Sequence, residues 1–273
     1  MKLVSLPNQQ QVYAFSKTDA DVVYHEIFAE ENYLKHGIEV KDGDCIIDAG
    51  ANIGLFSLYL AGKFHNLTLH LFEPVADIVD VLTKNAQQFL ASQAYTIVQQ
   101  GLSNKKTAVA VTFCPYLSVM TGMYTNELNK YNQKAALLDW LMAMIEDYQR
   151  IQASPKKSLR VIKQLLTVRF LKNIVAFLLL IPLFFFLLYL KIITRIVQCQ
   201  LDKVSAYISA QNIETIHLFK IDVEGAEWDV LMGIEEDHWP KIKQLIIEVH
   251  DINERVTNIR TLLEKQHYKV TVD

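Results

Sequence analysis

Apolar residues along this chain alternate between two spacings. Cys45, Ile46 and Ile47 form a short run with β-favouring side chains. Leu55, Leu58 and Tyr59 then recur at helical intervals. Between them lie Asp48, Gly50, Asn52 and Gly54. The stretch reads as a buried strand, a tight glycine turn and the start of a helix. Similar apolar runs predict buried strands at 67–72, 95–98, 216–221 and 245–249. Val12, Tyr13 and Phe15 suggest an early strand, and 108–113 and 268–272 alternate as an added strand and a closing edge strand. Helical spacing predicts helices over 19–37, 76–90, 201–211, 228–234 and 260–266. Strands separated by helices predict an α/β fold, a doubly wound, mostly parallel sheet with helices on both faces.

The turn carries the first chemical information. Glycine has no Cβ and accepts positive φ, so such a turn brings backbone close to a ligand. Free N–H groups at the helix start add donors. The dinucleotide fingerprint is G-x-G-x-x-G, but this chain has D-x-G-x-N-x-G, with Asn52 where the second glycine belongs. A pyrophosphate would meet a side chain there. A cofactor without phosphate, such as S-adenosylmethionine (SAM), needs no such approach. An ordinary strand-turn-helix corner is the plainer alternative.

Strand ends supply the rest. Glu73 closes the second predicted strand, where an acid can accept hydrogen bonds from both ribose hydroxyls. Gly101, Leu102, Ser103 and Asn104 follow the third. Asp222, Glu224 and Glu227 follow a later one, and His250 and Asp251 the last buried one. In a doubly wound sheet all of these share one edge. His250, with an ordinary pKa of about 6.5, is the best general-base candidate, and Glu224 is placed to orient it. A histidine that only caps a strand is the competing reading. His36 is a second base candidate, and His217 is expected to face a helix. Tyr24, Glu26, Tyr33 and His36 are polar tips on the 19–37 segment.

Composition excludes more than it suggests. A formal net charge of −3 leaves no electrostatic footprint for nucleic acid. Cys45, Cys114 and Cys199 match no metal spacing and suit a reducing compartment. No metal centre is expected. The first ten residues lack the apolar core of a signal peptide, which makes the cytoplasm the expected location.

The motifs DAGANIG, LFEP, GLSN, KIDVEGAEWDVL and IIEVH, in that order, resemble those of FkbM-type SAM-dependent methyltransferases. Longer stretches, including FCPYLSVMTGMY and GIEEDHWPKIKQLIIEVHD, are similar to O-methyltransferase domains embedded in modular polyketide synthases. The resemblance spans about residues 20–128 and 199–273. It implies a class I methyltransferase fold with a seven-stranded sheet. It implies SAM contacts at Asp48, Gly50, Asn52, Glu73, Ser103 and Asp222, beside the cofactor-binding candidate Gly54 of the turn, and a His250–Glu224 base pair. The implied substrate is a hydroxyl or enol of a small or carrier-bound polyketide-like or acyl chain. A sugar hydroxyl on a glycolipid or polysaccharide is the second reading, and a SAM-binding protein without turnover the third. The chain begins at Met1 and ends soon after the last predicted strand, so a free-standing enzyme acting in trans is expected.

Residues 129–198 interrupt the resemblance as a helical, hydrophobic insertion. The 135–148 stretch is amphipathic. At 159–172, Arg160, Lys163, Arg169 and Lys172 lie among Val161, Leu165, Leu166 and Phe170. The uncharged run 174–190 sits at the short limit of the roughly 17–25 residues that cross a bilayer. A single crossing would divide one sheet between two sides of a membrane. A re-entrant or monotopic contact through 159–195 at the inner face, bent at Pro182, is therefore expected. A buried helix at an oligomer interface is the alternative.

Overall fold

The structure is a computed structural model that describes residues 1–29, 32–114, 121, 194–251 and 253–273. The chain divides into two compact units, Met1–Tyr124 with Ile196–Asp273, and Thr125–Arg195. The apolar run 174–190 and nearly all of the expected insertion lie outside the described residues.

Five strands form the central sheet among the described residues: β3 (Cys45–Ala49), β4 (Thr68–Phe72), β5 (Ala94–Val98), β9 (Leu218–Ile221) and β10 (Leu245–Ile247). Their order is β10-β9-β3-β4-β5, and every neighbouring pair is parallel. The chain steps outward from β3 in one direction and returns on its other side, so the order reverses between β3 and β9. Ligands bind at such a reversal, beyond the carboxyl ends of the strands.

Alternate strand residues enter two separate cores, as a sheet covered on both faces requires. Ile46, Leu69, Leu71 and Leu218 pack with α2 (Leu55–Ala61), α3 (Ala76–Phe89) and the antiparallel pair β1 (Lys2–Ser5) and β2 (Gln11–Ala14). Ile47, Phe72, Phe219 and Ile221 pack with α4 (Val204–Ala210), α5 (Glu227–Met232) and α6 (Arg255–Lys265).

The sheet carries five strands among the described residues, where seven were expected. The 268–272 segment forms no strand. It is held by Tyr268, whose hydroxyl donates to the carbonyls of Trp239 (3.2 Å) and Ile242 (2.7 Å). Three further strands make a separate sheet in the order β6-β8-β7: β6 (Gly101–Ser103), β7 (Thr107–Phe113) and β8 (Arg195–Lys203). β8 corrects two expectations. Val197, Cys199 and Leu201 point inward at a period of two, so 195–198 belong to a strand rather than to the insertion. The helix expected over 201–211 begins only at Val204.

The helix expected over 19–37 is also broken. After α1 (Lys17–Tyr24) the backbone widens into a π-turn over His25–Ala29, and a 3₁₀ turn covers Asn32–Leu34. Such turns displace side chains from the α-helical register, and here they turn Glu26 and Tyr33 toward the strand ends.

Asn85 of α3 fastens the hairpin to the glycine turn. It is fully buried, accepts from the Tyr13 amide (2.8 Å), and donates to the carbonyls of Tyr13 (3.0 Å) and Ile53 (2.8 Å). Replacing Asn85 with Leu strands those buried backbone groups and is expected to cost about 3 kcal/mol. Urea unfolding checks this, and an unchanged midpoint would contradict it.

Candidate functional site

The glycine turn leaves β3 in a chain of left-handed residues. Gly50, Asn52 and Gly54 have φ of 79°, 49° and 91°. A Cβ on Gly50 would lie 1.7 Å from the Asp222 carbonyl oxygen, so only glycine lets the turn press against the end of β9. The turn's amides are largely spent within the fold. Gly50 and Ala51 donate to the Phe72 carbonyl at 3.0 and 2.9 Å, and Asn52 donates to Glu73 Oε2 at 3.2 Å. The expectation of free donors is therefore corrected for these residues.

Glu73 is buried beyond β4. Its other oxygen accepts from the Val75 amide at 2.9 Å. Burial pushes its pKa up to about 7, against the pull of those two amides. Each carboxylate oxygen keeps a second lone pair for a ligand hydroxyl.

Gly50, Asn52, Glu73, Asp222 and Glu224 border one cavity, about 780 Å³ with its open mouth included. Gly50, Asn52, Asp222 and Glu224 also border a second cavity, lined further by Glu26, Tyr33, Lys220 and Glu248. Other expected site residues stand back from both cavities. Asp48 is fully buried, accepting from Ser57 Oγ at 3.2 Å. Gly54 caps α2 against Leu82. Ser103 is buried at the end of β6, with its carbonyl against Gly233, and borders neither cavity.

His250 lies behind Glu224. Its Nε2 is 3.2 Å from Glu224 Oε2, and its Nδ1 is 3.2 Å from Oε1 of the fully buried Glu227. Glu227 also accepts from the Gly225 amide (2.6 Å) and meets Arg255 (3.4 Å). The two carboxylates push His250 up to about 10 against the effect of burial. In this state both ring nitrogens are donors, and the ring is an imidazolium. Glu224 reaches it from a left-handed backbone, φ 50°, followed by Gly225 at 95°. That conformation costs a non-glycine residue about 1–2 kcal/mol, which the ion pair offsets.

The second cavity is acidic. The Tyr33 hydroxyl lies 3.2 Å from Glu248, 3.4 Å from Glu26 and 3.4 Å from Asp222. Burial first, then Asp222 and Glu26, push Glu248 up to about 8. Among the described residues no group of three metal-ligating side chains is placed to hold an ion.

Sequence reasoning gave no role to Lys220, Glu227 or Glu248, although it placed Glu227 at the strand-end edge. Lys220 is 3% exposed, and its Nζ lies 3.2 Å from Asp48 and 3.3 Å from Asp222. A lysine inside the apolar run Leu-Phe-Lys-Ile was the available signal, since an ammonium is buried only with partners. The other base candidates have different roles. His36 is half exposed and pairs with Asp273, and His217 Nδ1 accepts from the Cys45 amide.

The profile of the methyltransferase FkbM domain matches residues 186–270. The 31-O-demethyl-FK506 methyltransferase FkbM of Streptomyces tacrolimicus is 27% identical over 283 residues, covering 100% of this chain and 91% of that protein. Methyltransferase sdnD of Sordaria araneosa is 27% identical over 269 residues, covering 96% of this chain and 86% of that protein. The AMB antimetabolite synthetase AmbE of Pseudomonas aeruginosa is 27% identical over 289 residues, which is 98% of this chain but 12% of the synthetase.

The His250 ring is expected to titrate near pH 10 in ¹⁵N NMR of the full chain. Its folded pKa lies above the unfolded value of about 6.5, so the stability it adds is complete below pH 6.5. That stability is lost as pH rises through 10. The stability gap between wild type and His250→Asn should therefore shrink from neutral pH to above pH 10. Titration near pH 6.5 would mean the two carboxylates do not hold the ring.

Proposed function

This chain is an FkbM-type methyltransferase, and from that premise we propose that it uses SAM to methylate a hydroxyl or enol oxygen. The polyketide-like or acyl-chain class is the substrate we favour. One observation carries the reading: Glu224 borders the same cavity as Gly50, Asn52, Glu73 and Asp222. A proton acceptor and a nucleoside cradle thus meet in one space. The Streptomyces relative is named for a 31-O-demethyl substrate, which supports an oxygen acceptor here.

The residues fit the cofactor. Glu73 would accept hydrogen bonds from ribose hydroxyls through its free lone pairs. Gly50 and Asn52 would line the approach, and the Asp222 carboxylate would meet cationic groups of the ligand. Asp48 supports the turn from beneath, through Ser57 and Lys220. When bound, SAM supplies an electrophilic methyl group on a sulfonium.

Removing the acceptor's proton falls to the Glu224–His250 pair. His250 already holds a proton between its two carboxylates, so Glu224 is the group that can take one from the cavity. Burial raises the pKa of Glu224, which strengthens it as a base. His250, fixed from behind by Glu227, keeps that carboxylate aimed. General-base contributions of this kind are worth roughly 10²–10⁴-fold.

The membrane contact proposed for 159–195 rests on sequence alone. Among the described residues no helix is long and apolar enough to cross a membrane. We retain a peripheral or monotopic location at the inner face of the membrane as part of this reading. Flotation of the full chain with anionic phospholipid vesicles tests it, and a chain left at the bottom of the gradient would exclude it.

Calorimetric titration with S-adenosylhomocysteine tests the cofactor. Wild type is expected to bind, and Glu73→Ala to bind at least about tenfold more weakly, since a hydrogen bond to a charged group is worth roughly 1.5–3 kcal/mol. No binding by folded wild type would end the SAM reading. Glu224→Gln should keep that affinity within a few-fold yet lower kcat about 100-fold or more. The assay is O-methyl product from a panel of hydroxyacyl and enol acceptors, read by mass spectrometry. Full activity of Glu224→Gln would remove it as the base.

A further inference from the structure

Resting on the SAM reading above, we propose that Lys220 is the positioning residue of the cofactor crevice. Its ammonium ties the glycine turn to Asp48 and Asp222, and it acts on the crevice through them.

The strand register brings these groups together. Asp48 of β3 lies opposite Lys220 of β9 in a parallel ladder. Lys220 Nζ is 3.2 Å from Asp48 Oδ1 and 3.3 Å from Asp222 Oδ2, and it donates to the Gly50 carbonyl at 3.1 Å. An ammonium has three protons. The Gly50 carbonyl takes one of them, and the two carboxylates balance the charge at ion-pair distance. Aromatic rings close the space around the charge: its Nζ is 5.6 Å from the Tyr33 ring centre and 5.8 Å from that of Phe56.

The tie matters because of what it joins. Gly50 and Asp222 follow different strands and meet at a distance that excludes even a methyl group. Both residues border both cavities. Asp222 also faces Tyr33, which in turn meets Glu26 and Glu248. Glu73 and Glu224 complete the acidic rim. The neighbouring cations are already engaged, His250 with Glu224 and Glu227, and Arg255 with Glu227. Burial opposes the Lys220 charge, but Asp48 and Asp222 outweigh it and keep the ammonium protonated. Without Lys220, Asp48 and Asp222 have no cation between them. One carboxylate then takes a proton, and the crevice loses its shape.

The test uses S-adenosylhomocysteine titrated into the full chain by calorimetry, in buffers of different ionisation enthalpy. Lys220→Met is expected to bind at least tenfold more weakly than wild type. It is also expected to change the number of protons exchanged on binding, because one carboxylate of the Asp48–Asp222 pair now carries a proton. Lys220→Arg should restore both quantities toward wild type. The double variant Lys220→Met/Asp48→Asn removes the surplus charge and should fold and bind better than Lys220→Met alone. That comparison carries the test if the single variant fails to fold. A weaker Lys220→Met with unchanged proton exchange would mean that the lysine only packs, and would overturn the proposal. So would a double variant no better than the single one. Absence of binding by wild type would instead sink the SAM reading, and this proposal with it.

Discussion

Buried carboxylates require a counter-charge, and that requirement organises the functional end of this molecule. Asp48, Glu73, Asp222, Glu224, Glu227 and Glu248 crowd the carboxyl edge of one sheet. Lys220 meets the Asp48 and Asp222 side, while His250 and Arg255 meet Glu224 and Glu227. Glu73 has backbone amides instead of a cation, and its pKa rises accordingly. Glu248 has the Tyr33 hydroxyl and other acids for neighbours, and it rises further. The crevice is therefore graded, from acids paired with a cation to acids that hold protons near neutral pH. A ligand that brings positive charge enters a site already biased toward it.

Much of this arrangement was legible from periodicity. The strand–turn–helix at 45–59 is what its residues predict, because two spacings meet at a run of glycines. The gathering of Gly50, Asn52, Glu73, Asp222 and Glu224 followed from one topological rule, that parallel strands end on a common edge. The five strands of the sheet came from apolar runs that needed no partner to be recognised.

What stayed hidden depended on the third dimension. Lys220 looks like an interruption of a strand until the register sets Asp48 beside it. Glu227 looks like the first-turn acid of a helix, and only packing brings it under the His250 ring. The role of His250 changed for the same reason. Its ordinary pKa suits a base, but two carboxylates at 3.2 Å make it a cation. β8 was missed although its alternation is clear, because Leu201 is also compatible with the helix that follows. The π-turn at His25–Ala29 has no periodic signature of its own.

The pairing of β3 with β9 has a consequence for how the protein is made. Gly50 and Lys220, which this pairing brings into contact, are 170 residues apart in the chain. At about 5–20 residues per second, a ribosome needs roughly 10–30 s to deliver the second after the first. During that interval β3 has β4 on one side and an open edge on the other, with Ile46 and Ile47 among its residues. An unpaired apolar strand is a template for association with other chains. Biosynthesis of this fold therefore includes a period in which a strand destined for the interior lies open on one side, and the crevice is among the last parts to exist.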